Sequence, residues 1–162
     1  MKPKLLVSAC LLGTPCRYDG KAKKNEAVCA LAERFELIPV CPEVLGGLPT
    51  PRTPSERRGK RVVMRDGRDV TAEYRRGAER ALELARREGA AAAVLKERSP
   101  SCGSGEIYDG SFTETRTAGD GVTAELLRAS GIRVFGESAQ ALSELFLLFD
   151  LPATCFSVPE RI

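Results

Sequence analysis

The chain has no histidine. That absence removes the side chain that ordinarily shuttles protons near neutral pH, so triads built on imidazole are excluded. Acid–base work falls instead to carboxylates, Lys, Tyr, Cys or a metal-bound group. No apolar run reaches the roughly 20 residues a membrane helix needs. The stretch from Met1 to Cys10 has too short an apolar core for a secretory signal, and a cytoplasmic protein with no membrane partner is expected. The G-x-G-x-x-G and P-loop patterns are missing, which leaves out the common nucleotide fingerprints. No repeat, low-complexity tract or linker interrupts the 162 residues, so one domain over 1–162 is expected, large enough to bury a core without disulfides or metals. A dominant charge sign is also lacking, with 25 basic against 22 acidic residues and a net charge of +3. A general nucleic-acid binder would show a stronger bias. Basic residues do concentrate from Arg52 to Arg68, and this segment reads as a solvated loop and hairpin, with RNA binding possible but not favoured.

What the chain does have is cysteine, six of them. In a reducing compartment such a set points to metal binding or thiol chemistry rather than a disulfide framework. Lys4 to Ser8 reads as a buried strand with Cys10 just beyond it, and Glu36 to Val40 as a second with Cys41-Pro42-Glu43 at its end. The apolar run Ala90 to Leu95 leads into a loop of small polar residues holding Ser99, Ser101 and Cys102. Asn25 to Phe35 has helical spacing that would pack Cys29 inside. Thr71 to Glu88 reads as a helix capped by Thr71 and ended by Gly89. Gly121 to Ser130 reads as a helix, Ile132 to Phe135 as a strand and Ser138 to Phe149 as a closing helix. Val44 to Arg61, rich in Pro and Gly, reads as a long stiff loop, and Asp66-Gly67 as a hairpin turn. Cys155, in a Pro-containing tail, receives no role.

Strands alternating with helices predict a Rossmann-like, three-layer α/β/α fold with a mainly parallel sheet. In such a fold ligands bind beyond the carboxyl ends of the strands, which is where Cys10, Cys41 and Cys102 fall. Adjacent strands lie about 5 Å apart, so thiols at neighbouring ends can reach one metal group. Three soft thiolates without histidine suit zinc or an iron-sulfur cluster. No C-x-x-C pair is present, and unrelated thiols remain an equal reading. Cys16, in a nearby turn, could close the site as a fourth ligand and make a redox or sensing module. Without it one iron stays open to a substrate. Lys96 and Glu97 read as an exposed pair, and the Tyr-Asp-Gly runs at Tyr18 and Tyr108 as structural turns.

The runs SACLLG (8–13), CRYDG (16–20), PVCPEVLGGLPTPR (39–52), DVT (69–71) and LKERSPSCGSGEIYDG (95–110) occur in this order. Together they resemble the thiouracil desulfidase family, long catalogued only as a domain of unknown function. The resemblance spans Ser8 to about Phe135. It implies a 4Fe-4S cluster held by the residues that match its three ligands, Cys10, Cys41 and Cys102. It implies a carboxylate beside the cluster at Glu43 and a substrate-facing hydroxyl at Ser101. The implied reaction takes sulfur from a thiolated pyrimidine, a small molecule, by hydrolysis without net redox change, in a monomer or homodimer.

Overall fold

The computed structural model describes residues 1–151; Cys155 lies outside the described residues. Strand β1 (Lys4–Ser8) becomes buried along its length and runs into a 3-10 turn, Ala9–Leu12. The helix expected over 25–35 is shorter. Asn25 caps α1 (Glu26–Cys29) by accepting the Val28 amide, and the chain then tightens into a 3-10 turn, Ala30–Glu33. Val28, Leu31 and Phe35 still reach the core, so the apolar spacing was met by a tighter coil. Strand β2 (Glu36–Val40) follows.

The stretch read as a stiff loop holds structure of its own. Its entry is α2 (Pro42–Leu45), started by a proline at the first helical position, where no backbone donor is needed. Further on, β3 (Ser55–Arg58) pairs antiparallel with β4 (Arg61–Met64). The hairpin is therefore closed at Gly59-Lys60. The Asp66-Gly67 turn forms, with Met64 donating to the Arg68 carbonyl and Val70 to the Val62 carbonyl across it, but it makes an isolated Val63–Asp69 bridge rather than a second strand pair.

Helix α3 (Thr71–Glu88) matches its predicted bounds and ends on Gly89 in the left-handed conformation. Its cap differs from expectation. Val70 holds the N-cap position, Thr71 is the first helical residue, and Asp69 Oδ1 accepts the Thr71 amide at 2.9 Å. Strand β5 (Ala92–Val94), the small antiparallel pair β6 (Glu106–Tyr108) and β7 (Arg116–Ala118), α4 (Val122–Ala129), β8 (Arg133–Phe135) and α5 (Ala139–Leu148) complete the order. The β6–β7 pair was not anticipated.

Four strands form one parallel sheet in the order β2-β1-β5-β8. Because strand side chains alternate, Leu5, Val7 and Val94 face one core with α1 and α5, through Val28, Leu142 and Phe146. Leu6, Ala93 and Leu95 face the other with α3 and α4, through Ala81, Ala85 and Leu127. This is the expected α/β/α layering. A smaller core of Leu48, Val62, Met64, Val70 and Tyr74 joins the hairpin to α3. Among the described residues no helix is long and apolar enough to cross a membrane.

Candidate active site

Strand β1 has β2 on one side and β5 on the other, so its carboxyl end is the point where the winding direction switches. Ser8 is level with Val40, and Val7 with Val94. The chain beyond each of these three ends supplies one thiol. Cys10, Cys41 and Cys102 all line one cavity of about 510 Å³, with Cys16 beside them. The cavity wall also carries Glu43, Arg52, Tyr74, Lys96 and Ser99.

The thiols are crowded and largely dry. Burial pushes the Cys102 thiol up to about 12, against the opposing pull of the Ser8 and Ser101 hydroxyls. The Cys41 thiol is raised first by hydrogen bonding to Cys16 and then by burial. The Cys16 thiol is raised chiefly by hydrogen bonding with Cys10. Cys16 is thus an immediate neighbour of two of the three strand-end thiols.

Three thiols facing one cavity, Cys10 and Cys102 buried and Cys41 half-buried, are a donor set for a soft metal group. Among the described residues no three His, Cys, Asp or Glu side chains gather tightly enough for a single metal ion. A lone zinc ion needs sulfur ligands only about 2.3 Å from its centre. Three thiolates from separate elements across one cavity can instead hold an iron-sulfur cluster.

Glu43 follows Cys41 by two residues, on the first turn of α2, and its side chain is 18% exposed. Two donors meet it. Tyr74 donates its hydroxyl to Oε1 at 2.5 Å and Arg52 its Nε–H to the same oxygen at 3.3 Å. Arg52 is the clearest departure from the solvated basic loop expected for 52–68, because its side chain is only 2% exposed. Its remaining nitrogens donate to the Pro49 and Cys16 carbonyls and the Thr50 hydroxyl. Arg57 and Arg58 are committed as well, to Glu125, the Asp120 carbonyl and the Gly110 carbonyl.

Ser101 is fully buried behind the wall. Its hydroxyl lies 2.8 Å from that of Thr123, and its carbonyl accepts the Thr123 and Ala124 amides, which ties the loop to the start of α4. Ser99, in the same loop, does line the cavity wall. Its Oγ accepts the Ser101 and Cys102 amides, leaving its O–H proton to donate. Lys96 and Glu97 are half-buried rather than exposed. Lys96 pairs with Glu137 at 2.9 Å, and Glu97 accepts the Ser138 amide at the start of α5. The Tyr-Asp-Gly runs are turns held by their aspartates, Asp19 accepting the Lys21 amide and Asp109 the Ser111 amide.

Sequence reasoning missed Tyr74, the burial of Arg52, and Glu56. Glu56 is buried in β3, and its Oε1 accepts the Gly110 and Phe112 amides at 3.0 and 3.2 Å, fixing the loop that closes one side of the cavity. A carboxylate in a short strand amid arginines reads as solvent-facing, and nothing local shows the partner 54 residues away.

Comparison with known proteins agrees with this geometry. Residues 5–139 match the family model described as 2-thiouracil desulfurase. The Bacillus subtilis (strain 168) protein YbbK is 42% identical over 144 residues, covering 83% of this chain and 95% of its own. A solved structure of TudS, described as a 4Fe-4S-dependent thiouracil desulfidase, is 52% identical, with a TM-score of 0.85, covering 92% of this chain and 99% of that one.

Proposed function

The chain belongs to the 2-thiouracil desulfurase family, and on that premise we propose that it removes sulfur from a thiolated pyrimidine at a 4Fe-4S cluster held by Cys10, Cys41 and Cys102. The observation that supports this most directly is the meeting of three strand-end thiols and the Glu43 carboxylate on a single cavity at the switch point of the sheet. When bound, such a cluster supplies a soft, Lewis-acidic iron suited to a thiocarbonyl sulfur. Water supplies the oxygen that replaces sulfur, so the products are uracil and hydrosulfide and no electron is gained or lost.

The protein's own groups handle the protons. Tyr74 and Arg52 both address Glu43 Oε1, and among the described residues no donor meets Oε2. That oxygen takes a proton from the attacking water, and the carboxyl returns it to a ring nitrogen, work a histidine often does elsewhere. Ser99 donates its free O–H to the ring, while Ser101, through Thr123, keeps the Cys102 turn on α4. Cys16 lies beside Cys10 and Cys41 on the same wall and stays outside the ligand set.

The test is anaerobic loading with iron and sulfide, followed by hydrosulfide release from 2-thiouracil and 4-thiouracil. Cys10→Ser, Cys41→Ser and Cys102→Ser should lose the cluster absorbance and turnover, and Cys16→Ser should keep the cluster. Glu43→Gln should keep the absorbance and lose turnover by about 10²–10⁴-fold, the usual worth of a general base. Full turnover in Glu43→Gln would remove it from the reaction. Failure of the wild-type chain to load a cluster at all would overturn the reading.

A further inference from the structure

Tyr74 is 1% exposed and packs its ring among Leu48, Val62, Met64 and Val70. An apolar ring would fill that space equally well, so packing does not explain the hydroxyl. A buried tyrosine hydroxyl needs a partner, and here the partner is the carboxylate on the cavity wall rather than a nearby backbone carbonyl.

The approach is built into the backbone. Helices α2 and α3 touch main chain to main chain where Gly46 faces the Glu73 carbonyl and Gly77 faces the Pro42 carbonyl. A Cβ at these positions would sit 2.0 and 1.9 Å from those oxygens. Glu43 follows Pro42 and Tyr74 follows Glu73, so one contact sets the separation of both side chains. Arg76 and Arg80 reinforce it by donating to the Gly46 and Leu45 carbonyls at the end of α2. Arg52 meets the same carboxylate oxygen from the other side and is itself held by three further acceptors.

We infer that Tyr74 is a positioning residue for the desulfidase reaction: with Arg52 it clamps Oε1 of Glu43 and turns Oε2 toward the reacting water. The inference rests on the reading of Glu43 as the base. Burial, then the charge of Glu43 and the hydrogen bond to it, hold the Tyr74 phenol well above its ordinary acidity range, so it remains a donor at every working pH. The clamp therefore restricts the carboxylate without competing for the proton that Oε2 accepts.

The experiment has two readouts. In the loaded enzyme, Tyr74→Phe should lower kcat by about 10–100-fold, the usual cost of removing an orienting partner one shell out, with KM within about twofold. In a Glu43→Gln background the same change should cost nothing further, since there is no longer a base to orient. A loss that adds fully to that of Glu43→Gln, or a Tyr74→Phe enzyme with wild-type kcat, overturns the inference while leaving the proposed reaction intact. The second readout needs no turnover. With the chain's three tyrosines labelled at the phenol carbon, Glu43→Gln should shift the NMR signal of Tyr74 and leave Tyr18 and Tyr108 in place. An unmoved Tyr74 signal would overturn the clamp. If the wild-type enzyme released no sulfide, the proposed reaction would fail and the NMR result alone would decide whether Tyr74 holds Glu43.

Discussion

Gly77→Ala tests the contact on which the site depends. In the middle of an 18-residue helix, replacing glycine by alanine normally stabilises by about 1 kcal/mol, because alanine restricts the unfolded chain and favours helix. Here the new Cβ would lie 1.9 Å from the Pro42 oxygen and 2.8 Å from its carbonyl carbon, where ordinary contact begins at 3.4 Å. The overlap exceeds 1 Å, and both offending atoms are backbone, so no side chain can rotate away. The Pro42 carbonyl is also the acceptor of the Gly46 amide that closes α2, so moving it opens that short helix. Overpacking of this kind costs about 1–3 kcal/mol or more. With no flexible neighbour to absorb it, a cost near 3 kcal/mol against a gain near 1 leaves a net loss of about 2 kcal/mol. For a chain of this length that lowers Tm by roughly 4–8 °C. Thermal unfolding of Gly77→Ala beside the exposed control Glu79→Ala, expected within about 0.5 kcal/mol of wild type, reads the difference. A Gly77→Ala protein as stable as wild type, or more so, would refute the backbone contact and with it the geometric account of Glu43.

Two further outcomes follow from polar contacts. Thr71 hydrogen bonding, ahead of the Arg61 guanidinium, lowers the Asp69 carboxyl to about 2 from 3.8. A depressed carboxylate adds stability that is complete above the unfolded value and lost as pH falls through the folded one. Asp69→Asn should therefore melt below wild type at neutral pH, with the gap closing between pH 3.8 and about 2; a gap independent of pH would refute the assignment. Replacing Glu56 by Ala strips the acceptor from the Gly110 and Phe112 amides, and unpaired buried donors cost about 1–3 kcal/mol. Amide exchange at those two residues should speed by about 5–150-fold, that energy expressed as a local opening equilibrium, while Glu56→Gln, which keeps an acceptor oxygen, should change it less. Unchanged exchange in Glu56→Ala would show that the loop is held by something else.

The parts of this molecule that could be read from the sequence are those written in local periodicity. KLLVS and ELIPV are short apolar runs that read as strands, the first buried and the second at the edge of the sheet, and the thiols after them inherit their place from the strand ends. Tyr74, by contrast, was not legible from periodicity. Along α3 it falls on the buried stripe with Ala78 and Ala81, and on a stripe a tyrosine reads as packing, because periodicity reports burial and is silent about which atom a hydroxyl meets. The burial of Ser101 was hidden for a related reason: a small polar loop looks exposed until α4 docks on it and buries it completely. One signal for the Tyr74 contact was nonetheless present. A glycine inside a helix otherwise rich in Ala, Leu, Glu and Arg weakens it by about 1 kcal/mol, and that loss is best explained by something pressing against the bare backbone. The Gly-Gly pair that follows CPEVL is the obvious counterpart, since a short helix ending in glycine can itself be approached closely. In the structure the two meet, and that contact sets residue 74 against residue 43. The helix's least favourable residue for its own stability thus lies where the Glu43 carboxylate is held.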